Sequence, residues 1–197
     1  QELCEKTGAT LRWIGLTDDG RLDLSGLDAL ITERTKCVSV VHQSNILGTI
    51  NDISTLSRHA RGVGSLFVVD ACQSIPHMPV DVATLGADLV AWSGHKMLAP
   101  NGIGCLWGTE SVLAAMPPFI SGGSMIKKVT MAATTFADPP QRFEAGVPMT
   151  AQAVGLGAAV DYLNDLGMDN VFAHEHALTG YALEKLEAIG RVRINGP

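Results

Sequence analysis

No stretch of this 197-residue chain approaches the ~20 consecutive apolar residues of a membrane-spanning helix, and no segment of it reads as a secretory leader. Positive charge is scarce: 14 Lys and Arg stand against 20 Asp and Glu, a formal net charge of −6. Such a surface argues against nucleic-acid binding, which needs basic residues to release counterions from phosphate. It argues equally against docking on anionic membranes. Cysteine is limited to Cys4, Cys37, Cys72 and Cys105, with no CxxC pair and no metal-ligand spacing. Free thiols in a reducing cytoplasm are the expectation, not a disulfide framework. Aromatic residues make up only 5% of the chain while glycines number 21, which suits an α/β protein with tight turns better than a β-sandwich. There is no internal repeat and no low-complexity tract.

What is present alternates between short apolar strands and helices. KCVSVVH (36–42), SLFVVD (65–70) and ADLVAWS (87–93) are the near-continuous apolar runs of a parallel sheet covered on both faces. TLRWIGL (10–16) and GIGCLWG (102–108) read as further strands, and TDDG as a turn. Leu24, Leu27 and Leu30 have helical spacing. Asn51 is placed to cap a helix over 52–63 that turns Ile53 and Leu56 inward. DVATLG and TESVLAAM read as short helices. This order predicts a doubly wound α/β domain.

Residues 117–148 are rich in Gly and Pro with weak periodicity, and are expected to form a long functional loop or an interface arm. Two helices follow, over 150–167 and 168–190. Composition shifts toward charge near Gly167, so residues 1–167 are assigned to one domain and 168–197 to the start of a second. Both ends read as cut. QELCEKTGA looks like the tail of a helix and RVRINGP like a strand just beginning, so an internal stretch of a longer protein is expected.

Three polar residues fall at or just past the carboxyl ends of two strands: Asp70, Gln73 and Lys96. That edge is where open α/β sheets bind ligands. One reading pairs Asp70 with Lys96 as a structural ion pair, because an unpaired buried carboxylate costs several kcal/mol, roughly. The other gives them separate roles. A lysine in a low-dielectric pocket has a lowered pKa and supplies neutral amine, which forms a Schiff base with an aldehyde. Pyridoxal phosphate is the common aldehyde cofactor, and its pyridine nitrogen takes a carboxylate partner. Asp70 would be that partner and Gln73 would donate to the phenolic oxygen. Ser93 and His95 flank the lysine and would bind phosphate, with Gly94 allowing close approach.

VVDACQSIPHMPVDV followed by GADLVAWSGHKMLAPNGIGCLWG resembles the class V aminotransferase family, and within it the group II cysteine desulfurases of the SufS type. VHQSNILGTIND and RFEAGVPMTAQAVGLGAAVDYL carry the same resemblance, which runs along nearly all of the chain. It implies the large domain of a fold type I pyridoxal-phosphate enzyme: a mostly parallel sheet with helices on both faces, incomplete at both ends. It implies Lys96 as the Schiff-base lysine, Asp70 on the pyridine nitrogen, Gln73 on the cofactor oxygen and Ser93 and His95 on the phosphate. Asn45 would lie beside the cofactor and help bind the substrate carboxylate. The implied reaction turns L-cysteine into L-alanine and a persulfide, whose sulfur passes to an acceptor protein of Fe–S cluster assembly. A homodimer and a cytoplasmic location go with it. Within the family a selenocysteine lyase, an epimerase or a transaminase is the alternative; outside it, an inert scaffold in which Asp70 and Lys96 pair.

Two positions depart from the family's pattern. Val147 follows RFEAG where many relatives carry a Thr that reaches phosphate across a dimer interface, and valine cannot donate that bond. Ala99-Pro100-Asn101 stands where Gly-Pro-Thr is frequent, with little chemical consequence expected. The family's sulfur-accepting cysteine, a carboxylate-binding arginine and a stacking histidine match no residue here. Cys72 reads as packing. His174, Glu175 and His176 read as a solvated helix face, since residues two apart do not share one. His42 and His77 read as hydrogen-bonded structural histidines, and GGSM (122–125) as a turn.

Overall fold

The computed structural model describes all residues, 1–197. Helix α1 (Glu2–Thr7) and one turn of helix, α2 (Leu27–Leu30), precede the first strand, β1 (Cys37–Val41). Helix α3 (Ile53–Gly62) leads to β2 (Leu66–Asp70), and a long turn leads to β3 (Leu89–Ser93). A 3-10 turn over Gly94–Met97 then reverses the chain into β4 (Gly104–Gly108), and α4 (Glu110–Ala115) follows. The four strands form one sheet in the order β1-β2-β3-β4, with the first three parallel and β4 antiparallel to β3. The sheet is thus mixed but mainly parallel, as the strand–helix alternation predicts.

Helix α3 shows why the sequence folds locally as it does. Ile53, Leu56 and Ala60 recur at helical spacing and are buried against the sheet. Ser57, also buried, donates to the Gly86 carbonyl at 2.7 Å and so loses no hydrogen bond in the core. The cap is Asp52, not Asn51: the Asp52 carboxylate accepts from the Thr55 N–H at 3.0 Å. Asn51 instead donates its amide to the Val41 carbonyl at 2.8 Å and closes the end of β1. Core residues Phe67, Val69, Val90, Leu56 and Ala60 are fully buried on this side of the sheet.

The other side differs from the sequence expectation. In β1, Val38 and Val40 are buried while Cys37 and Ser39 are exposed, so this strand is covered on one face only. Three expected elements are absent. TLRWIGL makes only an isolated bridge at Leu16, DVATLG is a turn, and RVRINGP forms no strand. The two expected strands lack partners: a strand needs a neighbour to complete its ladder, whatever its apolar content.

The region over 117–148 contains a hairpin that weak periodicity hides. Strands β5 (Ile126–Val129) and β6 (Thr134–Phe136) pair antiparallel, and their turn is closed by Thr130, whose hydroxyl and N–H both donate to the Ala133 carbonyl. Helices α5 (Thr150–Leu166) and α6 (Met168–Glu187) complete the chain and meet at Gly167, which has a φ of 78°. Helix α5 reaches the sheet edge through Gly155: a Cβ there would stand 2.5 Å from the Pro100 ring.

Candidate active site

The carboxyl ends of β1, β2 and β3 coincide. Val41 lies beside Asp70, and Asp70 beside Ala91. The ladder continues past the strands through His42 N–H to the Asp70 carbonyl and Ala71 N–H to the Ala91 carbonyl, both at 2.8 Å. Asp70 and Ala91 therefore share a face, and alternation returns Ser93 to that face two residues on. This is the face that β1 leaves uncovered.

Asp70 is exposed, contrary to the expectation of a buried carboxylate. Its position at the last residue of the strand on the open face explains this: water solvates it, so no ion pair is required. Its Oδ1 accepts the Cys72 N–H at 2.9 Å in an Asx turn, and its Oδ2 has no protein partner. The Cys72 thiol lies 3.5 Å from the Ser93 hydroxyl. Asp70, Cys72 and Ser93 are thus joined by direct contacts. Gln73, half-buried in the same turn, makes no side-chain hydrogen bond, and neither does exposed His95 or exposed Asn45.

Lys96 is half-buried, and it is the one lysine of the chain's six that is not exposed. It forms no ion pair, so the scaffold reading, in which it simply neutralises Asp70, has no contact behind it. Its side chain lines a cavity of about 370 Å3 together with Met97, Leu98, Tyr162, Leu163 and His174. Asp70, Gln73, Ser93, His95 and Asn45 do not line that cavity. Lys96 thus lines a cavity against the α5–α6 pair, and no hydrogen bond or ion pair joins it to Asp70 or Ser93.

The turn that carries Lys96 is fixed by close packing. A Cβ on Gly94 would meet Ile103 Cγ2 at 2.8 Å and the Ile103 carbonyl oxygen at 3.0 Å. Glycine at 94 is demanded by this approach of the chain to itself, not by room for a ligand. Leu98 closes the turn in the left-handed region with a φ of 69°, a conformation that disfavours a leucine by about 1 kcal/mol.

His77 is hydrogen-bonded as expected, though to a partner the sequence does not announce, and His42 departs from the expectation of a hydrogen-bonded ring at Nδ1. His77 Nδ1 and a Glu175 carboxylate oxygen lie 2.9 Å apart, tying the loop after Asp70 to α6. The sequence alone puts Glu175 on a solvated face; only a partner 98 residues away shows otherwise. His42 is buried with Nδ1 unpartnered, and burial lowers its pKa so that the neutral ring is favoured. The Asp70–Cys72 turn does have a sequence signal, since an Asp ending a strand commonly accepts the N–H two residues on.

A mainly parallel α/β sheet that carries a carboxylate and a hydroxyl at its carboxyl edge, with the Lys96 turn directly after, belongs to the class of open α/β folds that bind ligands at that edge. The class V aminotransferase family model matches residues 1–197, and the chain belongs to that family. A Streptomyces coelicolor protein described as "Probable cysteine desulfurase" is 57% identical over all of this chain and 47% of its own length. The cysteine desulfurase of Haloferax volcanii is 50% identical over all of this chain and 46% of its own. Among solved structures, a cysteine desulfurase from Thermococcus onnurineus superposes with a TM-score of 0.94 at 38% identity, covering 100% of this chain and 49% of that one. The Escherichia coli cysteine desulfurase CsdA gives 0.91 at 31% identity, covering 97% and 47%. The chain spans about half the length of the relatives it matches.

The family's cofactor is pyridoxal 5′-phosphate, and the residues fit it. Lys96 has a nitrogen free of ion pairs, Asp70 a carboxylate oxygen without a protein partner, and Ser93 and His95 polar groups next to the lysine in sequence.

Proposed function

We propose that the protein of which this chain forms about half is a pyridoxal-phosphate-dependent cysteine desulfurase acting on L-cysteine. Bound at this edge, the cofactor supplies an aldehyde for an amine and a ring that withdraws electrons from the substrate carbon. Lys96 would tether it through Nζ and, once displaced by the substrate amine, carry a proton to and from the substrate carbon. Asp70 Oδ2 would hold the proton on the ring nitrogen, and Gln73 would donate to the ring oxygen. Ser93 and His95 would bind phosphate oxygens, and Asn45 the substrate carboxylate. Val147 has no donor to add. A cysteine elsewhere in the protein would take the sulfur as a persulfide, since Cys72 is engaged with Ser93. Delivery of that sulfur to an acceptor of Fe–S cluster assembly, by a cytoplasmic homodimer, completes the reading. No helix here is long and apolar enough to cross a membrane.

The observation that carries this proposal is the half-buried, unpaired Lys96 in the turn three residues after Ser93, the last residue of the strand paired with the one that ends in Asp70. The test is an assay of the intact protein for alanine and sulfide from L-cysteine with added cofactor and reductant. Equal release of both, abolished by Lys96→Ala, is expected. Racemised amino acid or transferred amino groups without sulfide would identify a different class V reaction.

A further inference from the structure

The structure assigns Cys72 a positioning role, in which its thiol directs the hydroxyl of Ser93 toward the cofactor's phosphate. The inference rests on the function proposed above and refines it. Cys72 is held twice. Its N–H donates to Asp70 Oδ1 at 2.9 Å, which fixes the backbone of the turn, and its Sγ then lies 3.5 Å from Ser93 Oγ across the gap between β2 and β3. Any residue but proline provides the first contact, but only one with a small polar side chain provides the second.

A serine hydroxyl has one proton and two lone pairs, and a thiol is both a weak donor and a weak acceptor. With no anion present, either atom can be the donor. When phosphate lies against Ser93, its oxygens are acceptors only. The hydroxyl proton must then point to phosphate, and the thiol proton turns into the lone pair that the hydroxyl leaves facing it. Cys72 thereby keeps Ser93 in the rotamer that aims outward, and both groups remain hydrogen-bonded. An alanine at 72 leaves Ser93 free to rotate and its inward lone pair without a partner.

Cofactor binding to the intact apo-protein separates this role from bulk packing. Dissociation constants are measured for pyridoxal 5′-phosphate and for pyridoxal, which lacks the phosphate. Cys72→Ala is expected to weaken the phosphorylated ligand about three- to tenfold, the range of one lost hydrogen bond. Pyridoxal should change by less than about twofold, since it lacks the group that Ser93 addresses. Cys72→Ser, which keeps a donor at this position, should bind both ligands as the parent does. Equal weakening of both ligands by Cys72→Ala, no weakening of either, or failure of Cys72→Ser to restore binding would overturn the inference. Failure of the parent protein to bind pyridoxal phosphate would instead overturn the proposed function.

Discussion

The proposed function assigns the chemistry to Lys96 and Asp70, and their surroundings differ in an informative way. Lys96 is half-buried and lines a cavity with Met97 and Leu98, while the Asp70 carboxylate is exposed and anchored through one oxygen. Replacing Asp70 with Asn keeps the Asx turn but removes the charge that, in the proposed function, would hold a proton on the ring nitrogen. Turnover of L-cysteine by the intact protein should fall by about 10²–10³-fold, the effect of removing one preorganised electrostatic group. Gly94 is a purely steric case. Gly94→Ala drives a methyl into Ile103, and part of that contact is backbone that cannot rotate away. A loss of about 1–3 kcal/mol in denaturant unfolding is expected, together with weakened cofactor binding, because the displaced turn carries Lys96.

Helix α3 owes its start to Asp52, whose pKa is lowered to about 2, first by the Thr55 backbone N–H and then by the Thr55 and Ser54 hydroxyls. The ordinary value is 3.8, so the stability this carboxylate contributes is complete above about pH 4 and is lost as pH falls toward 2. Asp52→Ala should cost about 1 kcal/mol near neutral pH, read by chemical denaturation, whereas Asp52→Asn should cost about a few tenths. The His77–Glu175 contact that joins the site loop to α6 is about 40% exposed at both ends, so solvent screens it. Its removal by Glu175→Gln should change global stability by no more than about 1 kcal/mol.

These elements also show how far the sequence can be read. The strands around Asp70 and Lys96 are legible because apolar runs bounded by turn residues have few alternative uses, and SGHK follows one of them directly. The cap on α3 falls one residue from its expected place because Asn51 and Asp52 are both good caps; the choice is made by the Val41 carbonyl, which needs a donor. The hairpin at 126–136 is hidden because Lys127, Lys128, Thr134 and Thr135 leave its exposed faces without alternation. The Cys72–Ser93 and His77–Glu175 contacts join residues 21 and 98 positions apart, and no local pattern announces them.

At the scale of the whole molecule, β1 leaves one face of the sheet open at its edge, and the candidate site sits where that face meets the carboxyl edge. His42 is buried at that same edge. Its folded pKa is lowered by burial from 6.5, so the unfolded chain binds a proton more readily than the native one. Stability is therefore full above pH 6.5 and declines as pH falls below it. Denaturation midpoints measured between about pH 5 and 8 should show this slope, and His42→Asn should flatten it.

The central claim, that Lys96 is the residue bonded to pyridoxal phosphate, is tested most directly by borohydride reduction of the intact protein with cofactor, followed by proteolysis and peptide mass mapping. A pyridoxyl adduct on Lys96, and on none of Lys6, Lys36, Lys127, Lys128 or Lys185, is the predicted result. An adduct confined to one of those exposed lysines, or none at saturating cofactor, would contradict the account.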